Sequence, residues 1–144
     1  VTQEADIGID VEWMNRSLNP TTLTNQVLLP QEAGALQALP LSDRRSRFFD
    51  YWTLKEAYIK SRGIGLSLPL REFRFIFRDD AGLQVAFQPS LADAPSSWQF
   101  FLMTPTTDHR LALAVRSILG QDMKPHIIHV RSADGENAET DLPP

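Results

Sequence analysis

The run WTLKEAYIK, Trp52 to Lys60, constrains this chain more than any other stretch. It reads as a helix with two adjacent stripes. Phe48, Trp52 and Ile59 mark an apolar one, and Thr53, Glu56 and Lys60, at spacings of three and four, mark its neighbour. A carboxylate therefore rides at the border of the packed face, flanked by Lys55 and Lys60. Far upstream, IGIDVEW alternates strictly, so Ile7, Ile9, Val11 and Trp13 share one face of a strand and Gly8, Asp10 and Glu12 the other. With the apolar set as anchor, the strand fixes two acids in direction, and the helix supplies a third.

Carboxylates held on one side repel, and a divalent cation relieves that repulsion while taking oxygen ligands. Asp10, Glu12 and Glu56 are thus the candidate ligands of a hard cation. Mg2+ suits them, because it keeps several waters and completes its octahedron with phosphate oxygens. Each residue also has an ordinary reading. Asp10 and Glu12 alone describe a solvent-facing strand, Lys55 and Lys60 describe surface charge, and Glu56 with Lys60 describes an exposed helix pair worth about 0.3–0.5 kcal/mol. In the functional reading the two lysines neutralise phosphate beside the cation.

A chain of 144 residues, 42% hydrophobic, buries one core of ordinary size. We expect a single domain over 1–132 and an acidic, apolar-poor tail without structure over 133–144. The absence of cysteine excludes disulfides and thiolate metal sites and fits a reducing, cytoplasmic setting. No apolar run is long enough to span a membrane, and no charged-then-apolar leader is legible. A net charge of -4 argues against nucleic acid as a partner. Locally the balance reverses, and Arg44, Arg45, Arg47 and Arg62 form a candidate patch for an acidic protein.

Pro20 suits the start of a helix through Val27 and Leu28, a second helix fits Gln31 to Leu39, and a third, capped by Ser42, runs to about Ser61 and stops at Gly63. Gly63 to Leu70 reads as a loop. Glu72 to Arg78 and Leu83 to Phe87 form one expected hairpin, Trp98 to Thr104 and His109 to Ser117 another, and Ile127 to Val130 a last short strand. His126 and His129 fall on opposite faces of that strand, which disfavours a shared metal. The expected fold class is α+β: one mostly antiparallel sheet, beginning with the acid-bearing strand, packed against three helices.

Gly8-Ile9-Asp10, then Glu12, followed by Trp52, Thr53, Lys55, Glu56, Ala57 and Lys60 and by GIGLSLPL, resembles the Sfp-type 4'-phosphopantetheinyl transferases. The resemblance covers Ile7 to Phe77 and corresponds to the second of two like halves in that family. It implies transfer of the phosphopantetheine arm of coenzyme A to a serine of an acyl or peptidyl carrier protein, whether of a fatty-acid, polyketide, peptide or lysine pathway. It further implies Asp10, Glu12 and Glu56 as Mg2+ ligands, Lys55 and Lys60 as coenzyme A contacts, and Glu56 and Lys60 as the catalytic pair, with Glu56 the base. Ile64 departs from the pattern where many relatives carry lysine. Because only one half is matched, and single-unit holo-acyl-carrier-protein synthases trimerise, the chain is expected to act with a missing N-terminal half or a second copy. Two other readings are a noncatalytic carrier-protein or coenzyme A binding module and a metal-dependent phosphodiesterase.

Overall fold

Three prolines set the helix boundaries. Pro20 opens α1 (Pro20–Val27), Pro30 opens α2 (Pro30–Gln37), and Pro40 stands directly before α3 (Leu41–Arg62). Proline's fixed φ suits a first turn, where its missing N–H has no partner to lose. The N-cap of α3 is therefore Pro40 and not Ser42, whose hydroxyl donates to Asp43 Oδ1 at 2.9 Å. At the far end Gly63 takes φ 64°, the left-handed cap that glycine adopts without strain. The computed structural model describes residues 6–17, 20–63, 69–80, 82–116, 124–125, 128–133 and 136–140. The position of Ile64 and most of the expected Gly63 to Leu70 loop lie outside them.

All strand pairing in the described residues is antiparallel, but it is divided among three sheets, not gathered into one. β1 (Ile7–Trp13), β5 (His109–Arg116) and β4 (Trp98–Thr106) form the first, in the order β1-β5-β4. β2 (Phe73–Arg78) and β3 (Gly82–Phe87) form a separate hairpin. β6 (His129–Ala133) pairs with β7 (Glu136–Thr140), from His129↔Thr140 to Ala133↔Glu136. The stretch from 133 onward was expected to lack structure. Its acidic, apolar-poor composition gave no sign of that pairing.

β1 meets α3 in the opposite sense to the one its alternation suggests. The apolar set points outward: Ile9 and Val11 are 56% exposed and Trp13 51%, whereas Asp10 is 6% exposed. Register explains the inversion. Gly8 pairs with Ala114 and Asp10 with Ala112, and directly opposed residues share a face, so the helix-side surface of the sheet is paved with small side chains. A helix can lie close only on that surface. A Cβ at Gly8 would stand 1.9 Å from the Ala57 carbonyl oxygen and 2.4 Å from the Ser61 nitrogen, so strand and helix touch backbone to backbone there.

The other side of α3 carries the core. Tyr58, fully buried, is ringed by Phe73 at 4.6 Å, Trp98 at 5.0 Å, Phe87 at 5.2 Å and Phe100 at 6.3 Å between centroids. Those rings come from the hairpin and from β4, so a single helical residue ties both sheets to α3. Its hydroxyl donates to Asp93, which also pairs with Arg62. Burial and the Asp93 charge push the Tyr58 phenol above its usual range, keeping it a donor.

Candidate active site

The close approach at Gly8 brings the acid face of β1 onto the last turns of α3. Lys60 reaches across to Asp10 Oδ1 at 2.6 Å. The ordinary reading, a helix pair between Glu56 and Lys60, is therefore not the contact formed. Glu12 is held from two directions: the Trp52 indole N–H donates to Oε1 at 2.6 Å, and Arg16 Nη1 stands 3.1 Å from Oε2. Glu56 is half-buried, and its carboxylate makes no hydrogen bond among the described residues.

Electrostatics show that the three carboxylates share one neighbourhood. Glu56 is raised above the usual carboxylate value by burial first and then by the charge of Asp10, with Glu12 adding and Lys60 and Arg16 opposing. Glu12 is raised by burial, against the pull of Arg16 and with a push from Asp10. Lys60 is raised, chiefly by its hydrogen bond to Asp10. One oxygen, Asp10 Oδ2, is buried with no hydrogen-bond partner. Among the described residues, no three His, Asp or Glu side chains stand grouped as a ready-made metal site. Two of the three acids are turned instead toward cations of the chain itself, Asp10 to Lys60 and Glu12 to Arg16.

Lys55 is elsewhere, which corrects its expected role as a coenzyme A contact. Its side chain is fully buried on the far side of α3, 2.7 Å from Glu32 Oε2, and donates to the carbonyls of Val27, Leu70 and Phe73 at 3.0, 2.8 and 3.1 Å. An ammonium group has three protons, and four acceptors surround this one. Glu32 is just as fully engaged: Oε2 accepts from the Leu29 amide at 2.9 Å and Oε1 from the Phe75 amide at 2.8 Å. Burial pulls Lys55 below the usual lysine value, and Glu32 opposes that pull. The pair clamps the end of α1, the start of α2 and the first residues of β2 onto α3.

Of the residues expected at the site, the structure brings Asp10, Glu12, Glu56 and Lys60 near one another and places Lys55 apart, and the residues that orient them were not among those expected. A lone glycine inside an alternating strand signals close backbone approach, which is what Gly8 provides. A tryptophan half-buried beside a polar stripe needs an acceptor for its N–H, the signal that pointed to Trp52. Arg16 pairs with Glu12 only four residues away but from a turn, outside the helix spacing that would mark such a pair, and the partners Lys55 and Phe75 of Glu32 are distant in sequence and hidden in the core.

The sequence profile of the 4'-phosphopantetheinyl transferase superfamily matches residues 6–114. The chain belongs to that family. Among named relatives, the 4'-phosphopantetheinyl transferase HetI of Nostoc is 31% identical over 119 residues, covering 80% of this chain and 45% of the relative. A 4'-phosphopantetheinyl transferase of Bacillus subtilis is 36% identical over 81 residues, 55% of this chain and 34% of that protein. This chain thus spans less than half the length of either. Its fold is that of the holo-(acyl-carrier-protein) synthases. The one from Neisseria meningitidis superposes with a TM-score of 0.66 at 17% identity, covering 78% of this chain and 97% of that one. The one from Bacillus anthracis, whose structure is a complex with CoA (3',5'-ADP), superposes at 0.61 and 19% identity over 77% of this chain and 94% of that one. In the described residues no helix is long and apolar enough to cross a membrane.

Proposed function

We propose that this chain contributes the catalytic acids of an enzyme that moves the 4'-phosphopantetheine arm of coenzyme A onto a serine of an acyl or peptidyl carrier protein. The observation that carries the proposal is the meeting of Asp10 and Glu12 on β1 with Glu56 and Lys60 on α3 around an unmatched buried carboxylate oxygen. That orphaned oxygen and the mutual repulsion of the acids fit a hard divalent cation. Asp10, Glu12 and Glu56 would hold Mg2+, which supplies charge neutralisation at the diphosphate of coenzyme A.

Glu56 is poised as the base. Burial and two neighbouring negative charges make it a stronger proton acceptor than an exposed carboxylate, so it can take the hydroxyl proton of the carrier serine. The serine oxygen then bonds to the phosphorus of the pantetheine phosphate, and the bond to the departing adenosine 3',5'-bisphosphate breaks. Lys60, half-exposed at the rim, keeps a full positive charge where phosphate oxygens would lie. Apo carrier incubated with labelled coenzyme A and Mg2+ tests the assignment. Glu56→Gln should lower the transfer rate by about 10²-fold or more, and an unchanged rate would sink this mechanism.

The outward face of the first sheet bears on the partner. Ile7, Ile9, Val11 and Trp13 line β1, with Leu111 and Leu113 of β5 opposite Val11 and Ile9. An apolar stripe of this kind suits burial against a second half-unit or a second copy of the chain. Light scattering with and without Trp13→Glu measures it: association that survives the substituted charge would exclude this face.

A further inference from the structure

One cation near the acids is not accounted for by the proposed reaction. Arg16 sits on the turn after β1, and that turn is fastened from outside: Arg45 donates through Nε to the Met14 carbonyl at 2.8 Å and through Nη2 to the Arg16 carbonyl at 2.6 Å. The Arg16 guanidinium lies over the Trp52 ring at 5.3 Å and the Phe49 ring at 5.7 Å, an aromatic platform that fixes its plane without consuming its N–H groups. Of its donors, Nη1 faces Glu12 Oε2 at 3.1 Å, while Nε is buried with no hydrogen-bond partner. A buried donor without an acceptor is costly, and its persistence beside a carboxylate cluster marks a group placed for something other than packing.

Resting on the reading that the acids bind a divalent cation, we infer that Arg16 is the resident counter-ion of the cluster. It holds Glu12 while no such ion is bound and yields it when one binds. Its guanidinium, kept in place by the two rings, then offers its Nη groups to the anionic phosphate group of the co-substrate. The planar fork of arginine matches phosphate oxygens in a way that the Lys60 ammonium does not. Arg16 therefore works against the metal and in favour of the nucleotide, and the two effects have opposite signs.

Opposite signs give the test. Mn2+ serves as the metal probe, followed as the free ion by electron paramagnetic resonance with the whole chain, and coenzyme A is then titrated in the presence of Mn2+. Arg16→Gln should bind Mn2+ about two- to fivefold more tightly, since an ion-pair competitor has gone, and should bind coenzyme A about fivefold more weakly. Arg16→Lys, which keeps the charge and loses the fork, should retain the original Mn2+ affinity and still bind coenzyme A more weakly. Equal or weaker Mn2+ binding by Arg16→Gln would overturn the inference, because a residue that only packs the turn cannot improve metal binding when removed. Unchanged coenzyme A affinity in both variants would overturn it as well. If neither the original chain nor the variants bind Mn2+, the metal reading of the acids falls first and the inference falls with it.

Discussion

Lys55 and Lys60 stand five residues apart on one helix in opposite circumstances. Lys55 is sealed from solvent, and its acceptors outnumber its protons. Lys60 has 52% of its side chain exposed and leans on one oxygen of an acid whose other oxygen has no partner. The motif that identifies the family therefore mixes two kinds of charge. The satisfied kind holds elements together, and the frustrated kind, on the β1 side, remains available for a ligand. A buried polar group leaves no such opening once every proton and lone pair is matched.

That contrast is open to direct attack. Lys55→Met strands the Glu32 carboxylate in the core and should cost about 3–5 kcal/mol in urea unfolding, with part recovered by adding Glu32→Gln. A loss below about 1 kcal/mol would make Lys55 an ordinary surface charge after all. Gly8→Ala comes next. Its methyl group would collide with helix backbone, which cannot rotate away, so we expect a cost of about 3 kcal/mol. Lys60→Met should be milder, about 1–3 kcal/mol, because the ammonium is half in water although its partner Asp10 is buried.

The smallest effect has the most informative sign. Glu12 and Glu56 both titrate above the usual carboxylate value of 4.5. Between that value and their raised values, the folded chain holds protons that the unfolded chain has released. Stability therefore falls as pH rises through the window, and the penalty is complete above it. Glu56→Gln should raise the melting temperature at pH 7 by about 1–3 °C, with the gain disappearing below about pH 4.5. Saturating Mg2+ should produce a similar rise in the unsubstituted chain. A fall in melting temperature for Glu56→Gln would mean that Glu56 belongs with Lys55 among the satisfied charges.

How far these assignments were legible depended on the range of the interaction. Helix limits follow from residues acting locally: prolines that open a helix and a glycine that closes it. The hairpin of β2 and β3 was readable because Phe73, Phe75 and Phe77 alternate with Arg74, Ile76 and Arg78 ahead of turn-forming residues. Which face of β1 is covered was not readable, since alternation separates two faces without saying what packs on either. The answer depended on Ala112 and Ala114, a hundred residues away in sequence. The division into several sheets was hidden for the same reason, since pairing is a property of distant partners. Lys55 misled because lysine is rarely buried, and only Glu32 together with the carbonyls of Val27, Leu70 and Phe73 makes its burial tolerable.

The contact at Gly8 has a further consequence. Side chains elsewhere in the molecule can exchange volume, and a core adjusts by shuffling rotamers. Where two main chains abut, nothing can rotate, and the separation between the acid-bearing strand and the acid-bearing helix becomes a matter of van der Waals radii. Evolution is then free to revise the aromatic interior around Tyr58 without detuning the spacing of the three carboxylates, provided that one position along the strand never acquires a side chain.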